Sequence, residues 1–103
     1  MKPESISKVV NGKRYSTDNA TLVAHDAYWD GRNFERNGRN TFLYRTEHGN
    51  WFVVNQSQWD GERTQLTPVI ESRALELYFG SLEEHEVAFE DAFPGVSGKI
   101  EEA

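Results

Sequence analysis

The residues with catalytic or metal-binding potential are few and scattered. The chain has no cysteine, and its three histidines (His25, His48 and His85) lack the H-x-x-x-H spacing that binds zinc on a helix. No serine lies in a G-x-S-x-G motif, and no glycine-rich motif could cradle a phosphate. Asp26 and Asp30 share a side of a predicted strand, as an acid–base pair would, but carboxylates at a strand end are more often only solvated. The sequence predicts a non-enzymatic protein without metal or cofactor.

Aromatic and arginine side chains concentrate in one glycine- and asparagine-rich stretch. Its members are Tyr28, Trp29, Arg32, Phe34, Arg36 and Arg39. Because aromatic residues and arginine are enriched at binding hot spots, we predict a protein-binding loop here. The same composition would also stack the bases and contact the phosphates of single-stranded nucleic acid. The structural alternative places Trp29 and Phe34 in the core and the arginines in solvent. Trp59, beside Asp60-Gly61, is a second candidate, either for partner contact or as a lid on the core.

An acidic helix is the third candidate surface. Glu83, Glu86 and Glu90 have the spacing i, i+3, i+7, which places them on one face of a predicted helix. A rigid row of carboxylates imitates a phosphate backbone, and it would fit the basic groove of a nucleic-acid-binding protein. The alternative is the solvated face of an amphipathic helix.

Charge divides the 103-residue chain unevenly. Residues 1–46 hold eight of the 11 Lys and Arg residues and five of the 17 acids, so the second part of the chain carries most of the net charge of −6. This predicts a mildly basic patch and a strongly acidic surface, and the overall acidity disfavours non-specific duplex binding. No apolar run approaches the roughly 20 residues of a membrane span, and the N-terminus lacks a secretory signal. We therefore expect a cytoplasmic protein without membrane contact.

Hairpin signals dominate the predicted fold. Asn11-Gly12 between residues 6–10 and 13–16 predicts a two-residue type I′ turn. Residues 41–46 and 51–56 predict a second hairpin, in which Thr46 pairs with Trp51. Both faces of that hairpin are apolar, which predicts a central position in the sheet. Further strands are predicted at residues 24–30 and 64–69, the second at an edge because proline cannot donate to a strand ladder. That edge leaves either a monomer or a homodimer open.

Three helices are predicted around this sheet. A short one follows the capping residues Thr17 or Asp18 and ends near Ala24. A second begins at Ile70 and ends at Gly80, and a third begins at the capping-box sequence Ser81-Leu82-Glu83-Glu84. The predicted fold is therefore α+β: a small antiparallel sheet built from hairpins, packed against one short N-terminal helix and two C-terminal helices. Residues 1–95 form the predicted domain, and residues 96–103 a flexible tail.

Two stretches resemble motifs of a family of small, uncharacterised proteins from phages, plasmids and integrative elements. Residues 11–20 read N-G-K-R-Y-S-T-D-N-A, followed by Val23-Ala24, and residues 43–52 read L-Y-R-T-E-H-G-N-W-F. Phe93-Pro94 and the ending I-E-E-A resemble the close of those proteins, whereas residues 28–40 depart from them in length and charge. The resemblance implies no activity.

What the resemblance does imply is a mobile-element context, in which small acidic proteins often bind host proteins, anti-CRISPR inhibitors among them. We therefore expect a protein-binding module whose partner is a basic, nucleic-acid-binding protein of a host defence complex. The alternative is a module that binds single-stranded nucleic acid directly.

Overall fold

The computed structural model describes residues 3–26, 39–57, 59 and 61–97. The strands are β1 (Ser7–Val10), β2 (Lys13–Ser16), β3 (Ala20–His25), β4 (Arg39–Thr46), β5 (Trp51–Ser57), β6 (Gln65–Val69) and β7 (Glu84–His85). The helices are α1 (Glu71–Phe79), α2 (Phe89–Ala92) and α3 (Pro94–Ser97). The predicted α+β class is confirmed. In the described residues, no helix is both long and apolar enough to cross a bilayer.

The first predicted hairpin is confirmed. Strands β1 and β2 pair antiparallel, with Val10 opposite Lys13. Asn11 and Gly12 have φ angles of 51° and 79°, the left-handed values that a type I′ turn requires at both central positions.

The remaining strands form one antiparallel sheet in the order β6-β5-β4-β3-β7. The second predicted hairpin, β4–β5, lies at its centre, and β6 with Pro68 lies at one edge, both as predicted. The opposite edge is only two residues long, because β7 pairs with β3 at Ala24 and His25 alone.

The predicted register of β4 and β5 is wrong by one residue. Arg45, not Thr46, lies opposite Trp51. The cause is a tighter loop: the Thr46 amide donates to the Asn50 carbonyl (2.8 Å), and Gly49 takes a φ of 82°. A one-residue shift moves every side chain of a strand to the other face relative to its partner. Trp51 therefore joins the face of Leu43 rather than that of Phe42.

Two apolar cores result, one on each face of the sheet. The core under the helices contains residues from β3, β4, β5 and the C-terminal segments: Val23, Ala24, Leu43, Trp51, Val53, Ala74, Leu77, Tyr78, Leu82, Ala92 and Phe93. The core on the other face lies under the β1–β2 hairpin and contains Tyr15, Phe42, Tyr44, Phe52, Val54 and Leu66. The central hairpin is therefore buried on both faces, as its sequence predicts.

The predicted N-terminal helix, capped at Thr17 or Asp18 and ending near Ala24, is wrong. Only Thr17–Asn19 form a turn of 3-10 helix, capped by the Ser16 side chain, which accepts from the Asp18 amide. Strand β3 then begins at Ala20, four residues before the predicted strand. This segment pairs with β4 instead of forming a helix, because a seven-residue helix has little stability of its own. A register shift at Val23 lets Val23 and Ala24 both enter the helix-side core.

The predicted third helix is also wrong over most of its length. Instead of continuing from Ser81, the chain forms β7 and then the single turn α2. The amides of Glu86 and Val87 both donate to the Val23 carbonyl, at 2.8 and 3.3 Å. The backbone groups of this segment thus form hydrogen bonds with the edge of β3 rather than with each other in a helix. Val96, where the predicted tail begins, packs against the helix-side core within α3, and residues 98–103 lie outside the described part.

Candidate functional site

The predicted aromatic and arginine loop falls mostly on residues that the structure does not describe. Tyr28, Trp29, Arg32, Phe34 and Arg36 all lie in the gap between residues 26 and 39. Their proposed contact with a partner or with single-stranded nucleic acid therefore stays a prediction.

Asp26 has a structural role at the end of β3. Its side chain is buried, with 7% exposure. One carboxylate oxygen accepts from the Thr41 amide at 2.8 Å and from Asn40 Nδ2 at 3.2 Å. These bonds attach the end of β3 to β4. The other half of the predicted acid–base pair, Asp30, lies outside the described residues.

The histidines do not converge. His25 Nε2 lies 2.9 Å from a carboxylate oxygen of Glu86, and His85 Nε2 lies 2.7 Å from the Tyr78 carbonyl. His85 is in strand β7 rather than on a helix, and its ring stacks on Tyr78 with centroids 3.8 Å apart. Across the residues that the structure describes, no three His, Asp or Glu side chains are grouped to hold a metal ion.

The predicted row of carboxylates on one helix does not form. Glu83 follows the turn after α1, Glu86 follows β7, and Glu90 lies in α2. All three are exposed, but they do not have the regular spacing of one helix face.

The acidic charge nevertheless concentrates in the layer that covers one face of the sheet. Residues 71–97 carry seven carboxylates and a single arginine. Arg73 pairs with Glu76 at 3.1 Å, and Glu86 lies beside His25. Within the described part of the chain, no ion pair involves the other five carboxylates, which are those of Glu71, Glu83, Glu84, Glu90 and Asp91. This layer is therefore strongly negative.

A pair of aromatic rings, Phe79 exposed and Phe89 half-buried, lies within this acidic layer. Phe79, the last residue of α1, is 65% exposed, and its ring centroid lies 5.0 Å from that of Phe89. Tyr78 lies beside both rings. The pKa of Tyr78 is raised above its ordinary value, chiefly by burial and further by the negative charge of nearby Glu90. We call Phe79, Phe89, Glu83, Glu84 and Glu90 the acidic–aromatic surface.

Sequence reasoning did not single out Phe79, although a signal was present. The predicted apolar face of α1 contains Ile70, Ala74, Leu77 and Tyr78. Since helix residues are about 100° apart, Phe79 departs from that face. A large aromatic residue next to a helix end and off its apolar face is a candidate for exposure. The structure also places Ile70 outside the core, with 72% exposure.

Trp59 lies near a polar cleft at the end of the sheet where β4 and β6 begin and β5 ends. Its side chain is 52% exposed, so the alternative that it covers the core is wrong. The cleft has a volume of about 500 Å³ and is lined by Arg39, Thr41, Asn55, Glu62 and Arg63, among others. Arg39 donates to both carboxylate oxygens of Glu62, at 2.6 to 3.1 Å. These hydrogen bonds hold the pKa of Glu62 below its ordinary value, with Ser57 assisting against the opposing effect of burial.

The β1–β2 hairpin, on the opposite face of the sheet, is basic. The β1–β2 hairpin carries Lys8, Lys13 and Arg14 and has no acidic residue between Ser7 and Ser16. It covers the second core, on the face of the sheet opposite the acidic layer. The positive and negative surfaces are therefore separated by the sheet.

Comparisons with protein-family models, with curated proteins and with solved structures found no match to this chain.

Proposed function

We propose that this chain is a non-enzymatic protein-binding module, and that its acidic–aromatic surface binds a basic protein that handles nucleic acid. The observation that carries the proposal is Phe79, an aromatic side chain 65% exposed in a layer where Glu83, Glu84 and Glu90 form no ion pair with any described residue.

This arrangement has the chemistry of a binding hot spot. An exposed aromatic ring buries a large apolar area on contact, and its immobilisation costs little because only two torsions become fixed. Phe89 already packs against Phe79, which restricts the ring before any partner arrives. The surrounding carboxylates attract a basic partner over the Debye length and raise the rate of association. Basic and apolar side chains on one partner surface would match both features.

The resemblance to mobile-element proteins suggests what such a partner does. A cytoplasmic complex that handles nucleic acid presents basic grooves to phosphates. Carboxylates seated in such a groove would compete with the nucleic acid, which is the mode of action expected of an inhibitor of a host defence complex. In this proposal the competing carboxylates are those of Glu83, Glu84 and Glu90, carried by a turn, a short strand and a short helix.

A paired-variant capture experiment tests the proposal. Tagged wild-type protein is incubated with nuclease-treated host lysate, next to the variant Phe79→Ser/Glu90→Gln. We expect the variant to lose the captured protein, because it lacks the aromatic anchor and one flanking charge. Loss of about 2 kcal/mol of binding free energy would weaken capture roughly 30-fold.

The matched control is Val9→Ser/Glu47→Gln, which makes the same kinds of change on the other face and the β4–β5 turn. Val9 is 60% exposed, and Glu47 lies in the loop after β4. We expect full capture by this control. Equal capture by wild type and Phe79→Ser/Glu90→Gln, each verified as folded by circular dichroism, would refute the proposed surface.

A further inference from the structure

A cleft lined by hydrogen-bond donors lies between the β1–β2 hairpin and the turn that joins β4 to β5. Its volume is about 440 Å³, and the described residues that line it are Lys13, Arg14, Tyr15, Thr46, His48 and Asn50. None of these six is acidic, and each has at least one side-chain N–H or O–H group. We call it the basic cleft.

The cations of the basic cleft, Lys13 and Arg14, form no ion pair within the described part of the chain. The Thr46 hydroxyl oxygen accepts from the Asn50 amide at 3.0 Å, which leaves the hydroxyl hydrogen available to a ligand. In a protein of net charge −6, uncompensated cations beside neutral donors select an anion with several acceptor oxygens.

The basic cleft continues into two neighbouring cavities. A cavity of about 280 Å³ shares Arg14, Thr46 and His48 with it and is also lined by the acidic residue Glu47. A second, of about 390 Å³, shares Tyr15 and Asn50 and extends to Ile70 and the acidic residue Glu71 at the start of α1. This space exceeds what a bare inorganic ion needs and lies in the range of sites for small organic ligands.

From this geometry we infer that the basic cleft binds the phosphate group of a nucleotide, either free or within a single-stranded nucleic acid. Lys13 and Arg14 supply the charge, Arg14 offers two parallel N–H donors to the phosphate oxygens, and the neighbouring cavities accommodate the sugar and base. The site lies on the face opposite the acidic–aromatic surface, so it does not depend on the proposed protein partner.

Titration followed by amide NMR tests the inference, with inorganic phosphate, adenosine monophosphate and a short oligothymidylate as separate ligands. We expect phosphate to shift the amides of the hairpin turn and residues 45–50, and the two ligands with a base to shift amides that line the neighbouring cavities as well. Arg14→Ala and Lys13→Ala should each weaken binding about tenfold, the effect of losing a charge-assisted contact. Binding of adenosine monophosphate as tight as that of the oligonucleotide identifies a free nucleotide as the ligand, whereas binding of the oligonucleotide alone identifies a nucleic acid strand.

Lys8→Ala is the matched control, because Lys8 lies on the same hairpin but does not line the cleft. We expect its affinity to stay within about twofold of wild type, as for an exposed charge outside the site. Equal weakening by Lys8→Ala and Arg14→Ala would mean diffuse attraction by the whole hairpin and would overturn the inference. The absence of binding by adenosine monophosphate and by the oligonucleotide at low salt would also overturn it.

Discussion

Trp51 combines close packing with an unsatisfied hydrogen-bond donor. Its ring is 3% exposed and stacks on Phe93 with centroids 4.5 Å apart. Among the described residues, its indole N–H has no acceptor. Burial of such a donor costs about 1–3 kcal/mol, so the apolar contacts of the ring outweigh a local penalty.

Replacement of Trp51 by Phe should therefore lower the free energy of unfolding by less than the loss of buried ring area alone predicts. We expect Trp51→Phe to lower the free energy of unfolding by about 1–2 kcal/mol, against about 3–5 kcal/mol for Trp51→Ala. Urea unfolding followed by circular dichroism measures both. The control is Trp59→Phe, which at an exposed position should change stability by less than about 0.5 kcal/mol. A cost for Trp51→Phe as large as that for Trp51→Ala would show that the indole N–H is satisfied in the folded protein.

The candidate sites were predictable only where they depend on local sequence. The hairpin cations Lys13 and Arg14 directly follow a turn that the sequence identifies, and the exposure of Phe79 follows from helix periodicity. The pairing of Arg39 with Glu62 and the burial of Asp26 against Asn40 join residues 23 and 14 positions apart. Such pairs depend on strand pairing, which residue types alone do not specify.

At the scale of elements, Gly80 caps the C-terminal end of α1, where the backbone leaves no space for a side chain. A Cβ at this position would lie 2.6 Å from the Glu76 carbonyl oxygen, which is backbone and cannot move cheaply. We expect Gly80→Ala to lower the free energy of unfolding by about 1–3 kcal/mol, the usual cost of overpacking. It should also weaken partner capture, because the turn after Gly80 positions Glu83 relative to Phe79. Thermal unfolding and the capture experiment measure the two effects.

Gly95 provides the comparison, since a Cβ there meets no atom within 4 Å. Gly95 lies in α3, where alanine has the higher helix propensity, so Gly95→Ala should be neutral or stabilising by up to about 1 kcal/mol. Equal destabilisation by both substitutions would mean that the contact with Glu76 is not the cause.

Elements were predicted well where one local signal sufficed, and poorly where two competed. Asn11-Gly12 fixed the first hairpin because positive φ is needed at both turn positions. The capping-box sequence at Ser81 is an equally local signal, but no helix forms there. The amides of Glu86 and Val87 donate to the Val23 carbonyl instead of to carbonyls within a helix. The register of β4 and β5 depends on the length of the loop between them. The residue types at positions 47–50 did not determine whether Asn50 belongs to this loop or pairs with Thr46.

At the scale of the molecule, the described residues form a sheet with an acidic layer on one face and a basic hairpin on the other. The residues of both cores are buried, and none of them belongs to the charged side chains of the two surfaces. Seven carboxylates with one arginine in residues 71–97 repel one another at neutral pH, and such repulsion destabilises the folded state. A stable fold alone would favour fewer acids in this layer, whereas binding of a basic partner would favour keeping them.

This conflict predicts opposite effects of the same substitution on stability and on binding. Glu83→Gln/Glu84→Gln should raise the melting temperature by about 2–5 °C at low ionic strength, since about 1 kcal/mol corresponds to roughly 4–8 °C in a domain of this size. Sodium chloride at about 0.2 M should remove most of that gain, because it screens exposed charges. The same variant should capture less of the basic partner at every salt concentration. A melting temperature that falls in the variant, or a gain that persists unchanged in salt, would show that the two carboxylates do not experience net repulsion, and the acidic layer would then need no partner to account for it.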